Sequence, residues 1–235
     1  MTIFFDLDDT LVDSEAAHIL AIGKIWQEYS LENIVPEYIG QQWITITDKY
    51  LKLYFENQLS LEEQRIQRII DLWEIYGRKI TPEEAKIVYA QYHEHFLNSC
   101  LCFSDTIPAL EKLKHFSLGI ISNGSYGDQI YKLERNDLLH YFEVIIISEK
   151  AGVSKPDKEI FRIACQQTHS NLSDCIYVGN SLELDYLGSL NSGMKAIWLD
   201  RNSSDNSPNA ERIQSLDELE NHHFLRFCPP NNNEI

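Results

Sequence analysis

The feature of this chain that most constrains its fold is an apolar, strand-like run that ends in a cluster of acids. Residues 2–5 read Thr-Ile-Phe-Phe, and Asp6, Asp8 and Asp9 follow almost at once. Successive apolar residues are typical of a strand that is covered on both faces of a sheet. Ligands of open α/β sheets bind beyond the carboxyl ends of the strands, so the run predicts carboxylates at a ligand-binding edge. Aspartates are also common turn and capping residues, which is the structural alternative here.

Later parts of the chain alternate between strand-like and helix-like segments. Four more short apolar runs occupy residues 118–121, 144–147, 176–178 and 196–199. Segments of helical length, such as 157–168 and 181–192, lie between them. This alternation predicts an α/β fold with a Rossmann-like, doubly wound parallel sheet.

The long interval between the first two apolar runs is predicted to be helical. Ile66, Ile69, Ile70 and Trp73 recur with the spacing of an amphipathic helix. Ser60 and Thr81 each have a glutamate three residues later, as in a helix capping box. We therefore expect residues 16–96 to form an inserted helical cap that acts as a lid. Its aromatic residues are expected to be cap core, not a ligand cage: Trp26, Trp43, Tyr50, Tyr54 and Trp73.

The remaining segments complete the predicted organisation. Residues 1–15 and 97–201 are expected to form the α/β core that carries the cap. Residues 202–235 are expected to form a C-terminal segment that is partly packed on the core and partly frayed. Within it, the polar stretches 202–208 and 229–235 are rich in turn-forming residues and predict surface loop and a frayed end.

Charge and composition narrow the classes of partner. The chain has 235 residues and a net charge of −16, which disfavours binding to nucleic acid because phosphate backbones bind clustered Lys and Arg. A small phosphorylated ligand remains compatible with this charge, since local cations or a bound metal can outweigh the global field.

The five cysteines are irregularly spaced, which favours reduced thiols. With neither a basic signal-peptide region nor a membrane-length apolar stretch, we expect a cytoplasmic protein without a membrane partner, monomeric or a small homo-oligomer.

Polar residues follow three of the later apolar runs. Ser122, Asn123 and Gly124 offer a hydroxyl and a glycine-assisted run of backbone N–H groups, and such nests bind phosphate oxygens. Lys155 lies in a loop before a predicted helix. Asn180, and Asp185 a little further on, add an amide and a carboxylate after the fourth run. Carboxyl ends of parallel strands share one edge, so we expect these groups to lie close together.

Taken in this order, the residues closely resemble the four motifs of the haloacid dehalogenase superfamily, and the helical insertion resembles its type-one cap. The resemblance covers about residues 1–200 and implies a magnesium-dependent phosphatase acting on a small phosphorylated metabolite. By resemblance, Asp6 is the nucleophile, Asp8 the general acid and base, Ser122 a phosphate ligand and Lys155 the charge neutraliser. Asn123 and Gly124 contact the substrate.

The metal site carried over by this resemblance departs from the family pattern at one position. Asp6, Asp8 and Asn180 are the expected Mg²⁺ ligands, and Asp185 supports the site without ligating the ion. The family usually has aspartate where this chain has Asn180. The amide oxygen can still ligate a hard cation, but the change puts metal affinity in question.

Several functional alternatives remain open from the sequence. One is 2-haloacid dehalogenase activity in the same superfamily, which uses an aspartate nucleophile without magnesium. Others are a phosphoacceptor signalling domain and a non-catalytic scaffold that has lost its metal. Among capped phosphatases, the chain is most similar to the group of pyrimidine nucleotidases and N-acylneuraminate-9-phosphatases, which implies a nucleotide or sugar phosphate as substrate.

Overall fold

The computed structural model describes residues 1–29, 36–56, 58–202 and 210–226. The chain divides into two compact units, one made of Met1–Asp13 with Leu101–Ile235 and the other of Ser14–Cys100. These divisions fall near the boundaries expected after residues 15 and 96. In the described ranges, no helix is long and apolar enough to cross a membrane.

The first unit contains a six-stranded sheet among its described residues, with the strand order β3-β2-β1-β4-β5-β6. All neighbouring strands are parallel. The strands are β1 (Thr2–Phe5), β2 (Ser117–Ser122), β3 (Val144–Ile147), β4 (Cys175–Gly179), β5 (Lys195–Leu199) and β6 (Arg212–Ile213). The predicted α/β class with a parallel sheet is therefore confirmed. Because β1 is central, the acids that follow it lie at the middle of the carboxyl edge.

Burial explains why β1 shows no alternation between polar and apolar residues. Every residue of β1 is buried, and Phe4 and Phe5 are 0% and 1% exposed. Complete burial of such a side chain contributes roughly 1.5–3 kcal/mol. On β2, a Cβ at Gly119 would lie 2.7 Å from the Phe4 ring, so the absence of a side chain there makes room for Phe4.

Helices connect the strands of the first unit or, in the case of the last helix, follow the last strand. They are α5 (Thr106–Leu113), α6 (Tyr126–Arg135), α7 (Ser148–Ala151), α8 (Lys158–Gln167), α9 (Gly188–Ser192) and α10 (His223–Arg226). Short 3₁₀ segments occupy Leu139–Tyr141, Leu172–Asp174 and Leu216–Asn221. The four described cysteines are free thiols, as expected.

Two parts of the first unit differ from the prediction. The helix expected over 181–192 starts as a π-helix, Leu182–Leu187, and becomes α-helical only in α9. Strand β6 was missed because two residues give no readable periodicity. Residues 203–208 and 229–235 of the expected polar stretches lie outside the described residues.

Among the described residues of the second unit, all regular structure is helical. It comprises α1 (Ser14–Glu28), α2 (Pro36–Phe55), α3 (Leu61–Ile75) and α4 (Pro82–Ser99). Helix α1 packs against α2 and α4, and α3 packs against the same two helices. Both predicted capping boxes are present, at Ser60 with Glu63 and at Thr81 with Glu84.

Aromatic side chains fill the interior of the second unit. Trp26, Trp43, Tyr50 and Trp73 are all less than 10% exposed, which confirms them as core, whereas Tyr54 is only half-buried. The buried face of α3 is centred on Ile69, Leu72 and Trp73, while Ile66 and Ile70 lie at its margin. The predicted stripe is thus rotated slightly from the real one.

Candidate active site

The loop after β1 places Asp6 and Asp8 by a tight set of backbone hydrogen bonds. The N–H of Asp6 donates to the carbonyl of Val178 at 2.9 Å, which extends the β1–β4 pairing by one residue. The carbonyl of Leu7 accepts from the backbone N–H groups of residues 11 and 12 at 2.9 and 3.0 Å. Asp9 has φ of 57°, a left-handed conformation that aspartate tolerates better than most residues. The chain therefore turns sharply just beyond Asp6 and Asp8.

Lys155 forms the buried centre of the site. Its ammonium group donates to Oδ1 of Asp6 at 2.6 Å, to Oδ1 of Asp185 at 2.7 Å and to the Tyr177 hydroxyl at 2.9 Å. A lysine has three N–H donors, and all three are used here. The Lys155 side chain is only 3% exposed, so its position is fixed by these partners.

Burial and charge determine the protonation of this cluster. Desolvation raises the pKa of Asp6 to about 7, because the opposing effect of Lys155 is outweighed by burial together with repulsion from Asp185. Burial alone would lower the pKa of Lys155, but the two carboxylates outweigh it and raise that pKa above its ordinary value. One lysine cation therefore faces two carboxyl groups, and the cluster favours a further positive charge when both are ionised.

Asp185 supports Lys155 and is itself held at both oxygens. Oδ1 bonds to Lys155, and Oδ2 accepts the backbone N–H of Ser181 at 2.8 Å. A Cβ at Gly179 would lie 2.5 Å from this carboxylate, so only glycine fits there. The π-helical turn that contains Asp185 directs its side chain back to the end of β4. Asp185 thus acts on the site through Lys155.

Asp8 is bound by two residues of α6 that the sequence had not indicated. Its Oδ1 accepts from the ammonium group of Lys132 at 2.6 Å, and its Oδ2 accepts from Nε2 of Gln129 at 2.7 Å. Gln129 and Lys132 are three residues apart and therefore share one face of the helix. Their spacing is visible in the sequence, but nothing local identifies Asp8 as the partner.

Gln129 also connects Asp8 to the end of β2. Its Nε2 atom lies 3.0 Å from Oγ of Ser122 and 2.9 Å from the carbonyl oxygen of Asn123. The Nε2 atom carries two hydrogens for three acceptors, because it also donates to Asp8, so these hydrogen bonds are shared. The contact of the Ser122 hydroxyl with the Asn123 carbonyl is long at 3.4 Å, and a hydroxyl at this edge of the sheet can donate to a ligand.

The residues expected to contact substrate make internal contacts as well. The side-chain amide of Asn123 donates to the carbonyl of Lys155 at 3.0 Å and accepts its N–H at 2.8 Å, which fixes the loop carrying Lys155. Gly124 has φ of 140°, a conformation suited to glycine. Its N–H donates to Oγ of Ser148 at 2.9 Å. This N–H therefore has a partner within the protein, and its contact with substrate stays a prediction.

Asn180 lies at the end of β4 and is held by Thr10. The Thr10 hydroxyl donates to Oδ1 of Asn180 at 3.3 Å and accepts the Asn180 N–H at 3.1 Å. The carbonyl of Asn180 accepts from Nε1 of Trp198 at 2.8 Å. These contacts connect Asn180 with the loop that carries Asp6 and Asp8.

A second set of residues fixes Thr10 from the other side. Arg201 donates to the Thr10 carbonyl at 2.8 Å and makes a bidentate ion pair with Asp105 at 2.8 and 3.0 Å. Burial opposes ionisation of Asp105, but hydrogen bonds from Arg201 and neighbouring groups hold its pKa below the ordinary value. The arginine therefore anchors the loop after β1.

The donor atoms at this edge fit a hard divalent cation such as Mg²⁺. Within the described part of the chain, no hydrogen bond engages Oδ2 of Asp6, and the contact of the Asn180 amide oxygen with Thr10 is long. Carboxylate and amide oxygens are the ligands that such a cation prefers. Both carboxylate oxygens of Asp8 bond to α6, so this carboxylate would have to leave those partners to ligate a metal.

Comparison with known proteins shows the family to which the chain belongs. Residues 3–199 match the family model described as haloacid dehalogenase-like hydrolase, and the chain belongs to that family of hydrolases. It is 28% identical to the pyrimidine 5'-nucleotidase YjjG of Escherichia coli, covering 93% of this chain and 95% of that one. It is 26% identical to human N-acylneuraminate-9-phosphatase, with coverage of 85% and 82%.

Solved structures share the fold. The magnesium-bound hydrolase YfnB of Bacillus subtilis superposes with a TM-score of 0.82 at 24% identity, covering 96% of this chain and 98% of that one. Solved 2-haloacid dehalogenases also share the fold. The shared fold therefore does not select between phosphate and halide chemistry.

Proposed function

We propose that the protein is a magnesium-dependent phosphatase that hydrolyses phosphate monoesters of small metabolites through an aspartyl-phosphate on Asp6. The observation that carries the proposal is the arrangement of Asp6, with Lys155 on one carboxylate oxygen and, among the described residues, no protein hydrogen bond on the other. The second oxygen belongs to a carboxylate at the ligand-binding edge of the sheet and can act as a nucleophile. Relatives that are phosphatases and a nucleotidase support the same reaction.

The first half of the reaction transfers the phosphoryl group to the protein. Oδ2 of Asp6 attacks phosphorus, the bond from phosphorus to the ester oxygen breaks, and the leaving oxygen takes a proton from Asp8. Ser122 donates a hydrogen bond to a phosphoryl oxygen, and Lys155 offsets the charge of Asp6. Asp6 and Asn180, with Asp8 at the same edge, would hold Mg²⁺, which would supply positive charge that offsets the repulsion between carboxylate and phosphate.

The second half returns Asp6 to its starting state. Asp8, now a carboxylate, takes a proton from water, the water oxygen attacks phosphorus, and the bond from phosphorus to Asp6 breaks to release orthophosphate. Lys132 and Gln129 each donate to an oxygen of Asp8, and a protonated carboxyl is a weaker acceptor than a carboxylate. These two contacts are therefore stronger in the second half of the reaction, when Asp8 is a carboxylate.

The substrate class is proposed from the relatives and from the helical unit. We propose that Ser14–Cys100 acts as a cap that restricts access to small soluble phosphates, of the nucleotide or sugar phosphate class. Efficient dephosphorylation of folded phosphoproteins would contradict this. Membership of a hydrolase family favours an enzyme over a phosphoacceptor signalling domain.

A metabolite screen tests the proposed function. Purified protein is assayed for phosphate release from nucleoside monophosphates and sugar phosphates, with Mg²⁺ and with a chelator in its place. We expect turnover with Mg²⁺ that the chelator abolishes. The matched arm measures chloride release from 2-chloropropionate without metal. Chloride release, or no phosphate release from any small ester, would contradict the proposal.

A further inference from the structure

Three potential metal ligands meet at the C-terminal part of the first unit, in a group that the proposed reaction does not use. Glu211 immediately precedes β6, His223 is the first residue of α10, and His222 immediately precedes that helix. One ligand atom from each of the three side chains lies within 4.8 Å of the other two. The chain between them contains the 3₁₀ segment Leu216–Asn221.

The distances in this group are close to those of a metal coordination shell. Nε2 of His222 lies 3.5 Å from Oε2 of Glu211, and Nε2 of His223 lies 3.8 Å from Oε1. Ligand bonds to Zn²⁺ are about 2.0–2.2 Å long, which in a tetrahedral shell puts neighbouring ligand atoms roughly 3.3–3.6 Å apart. Both distances exceed a direct hydrogen bond, yet small side-chain shifts would accommodate an ion.

The three side chains differ in their exposure to solvent. The His222 side chain is 9% exposed, whereas Glu211 and His223 are 45% and 56% exposed. One ligand is therefore held in place by burial, and the other two remain accessible from solvent.

The surroundings leave space for further ligands. The two histidines line a cavity of about 550 Å³ together with Asp217, Glu218 and Asn221. Glu218 accepts the backbone N–H groups of residues 214 and 215 at 2.7 and 3.0 Å and so serves the local turn. Water molecules in the cavity can complete a coordination shell.

We propose that Glu211, His222 and His223 form a second metal site, which binds a divalent transition ion such as Zn²⁺, Co²⁺ or Ni²⁺. Two imidazoles and one carboxylate suit these ions, whereas Mg²⁺ prefers oxygen ligands alone. The ion would connect the segment before β6 with α10 and so stabilise the C-terminal end of the first unit. It is independent of the magnesium proposed at Asp6.

Metal titration of the purified chain tests this site. Zn²⁺ binding is measured by calorimetry for the parent protein and for Glu211→Gln, His222→Ala and His223→Ala. The titrations are run in excess Mg²⁺, which occupies the oxygen donors near Asp6. The control is His140→Ala, since His140 lies 3.7 Å from the carboxylate of Asp137 but belongs to no such three-ligand group among the described residues. Circular dichroism in chelator confirms that each variant is folded.

We expect one tight Zn²⁺ equivalent that each of the three substitutions weakens at least about tenfold and that the control leaves unchanged. Co²⁺ should give visible absorption bands of a site with nitrogen ligands, and Zn²⁺ should raise the melting temperature of the parent but not of Glu211→Gln. Equal Zn²⁺ affinity in parent and Glu211→Gln, or an equal loss in His140→Ala, would overturn the proposal. Glu211 is half-exposed, so its isosteric substitution decides the matter even if a histidine variant fails to fold.

Discussion

The ammonium group of Lys132 lies 2.6 Å from Oδ1 of Asp8, although the two residues are 124 positions apart in the chain. Lys132 is nearly buried, with 5% of its side chain exposed, whereas 30% of the Asp8 side chain is exposed. The lysine is therefore the fixed partner and Asp8 the more accessible one. This arrangement suits an acid–base residue that is positioned by one element and released toward substrate.

Replacing this lysine should affect the rate more than substrate binding. We expect Lys132→Met to lower kcat about 10- to 100-fold, less than the ~10²–10⁴-fold associated with a general acid or base itself, because Asp8 remains but loses its orientation. KM should change little, and Lys132→Arg should restore part of the rate. Steady-state kinetics of the three proteins provide the measurement. A loss confined to KM would contradict a positioning role.

Substituting the nucleophile should produce opposite effects on activity and on stability at high pH. Asp6→Asn should abolish turnover while the protein stays folded. The pKa of Asp6 is raised to about 7, above the value of about 3.9 for an unfolded chain, so the folded wild type loses stability as pH rises between these two values. The variant has no such titration.

Thermal melts at pH 5 and pH 8 in metal-free buffer measure this difference. The melting temperature of Asp6→Asn relative to wild type should be higher at pH 8 than at pH 5. A difference that is constant, or that falls with pH, would show that Asp6 does not carry a raised pKa in the folded protein.

The rate loss caused by substituting Asp8 should depend on the leaving group of the substrate. We expect Asp8→Asn to lose ~10²–10⁴-fold in rate with alkyl phosphates, whose leaving oxygen needs a proton, and far less in phosphoenzyme formation from p-nitrophenyl phosphate. Pre-steady-state release of p-nitrophenol measures the first step alone. Equal losses for both esters would exclude Asp8 as the proton donor.

The side chain of Asn180 should influence the Mg²⁺ concentration that activity requires. Asn180→Asp adds a negative charge beside the proposed cation, so the half-saturating Mg²⁺ concentration should fall, with each tenfold change equal to about 1.4 kcal/mol. The maximal rate need not rise, because another anion near the phosphate opposes substrate binding. Asn171→Asp adds the same charge before the opposite end of β4 and serves as the control. Unchanged magnesium dependence in Asn180→Asp would mean that Asn180 is not a ligand.

The sequence predicted the positions of strands, helix starts and site residues wherever a short local pattern determines them. The apolar runs located β1 and β4, and these two strands suffice to place Asp6 and Asn180 at the carboxyl edge of the sheet. The capping boxes at Ser60 and Thr81 located helix starts because the motif is complete within four residues.

Contacts between distant segments could not be read in this way. The pairing of Asp8 with Gln129 and Lys132 depends on where α6 lies beside the sheet, which no local pattern specifies. Similarly, the ion pair of Arg201 with Asp105 joins positions 96 residues apart. The hydrogen bond from the N–H of Gly124 to Ser148 likewise depends on the packing of α7, which no local pattern specifies.

The central claim, that Asp6 is phosphorylated during turnover, can be tested by trapping the intermediate. Asp8→Asn protein is mixed with p-nitrophenyl phosphate and Mg²⁺, quenched in acid within the first turnover, digested and analysed by mass spectrometry, with Asp6→Asn as the control. The account predicts one phosphoryl group on the N-terminal peptide, located on Asp6 and absent from the control. A phosphoryl group on any other residue, or phosphate release by Asp6→Asn at the wild-type rate, would contradict it.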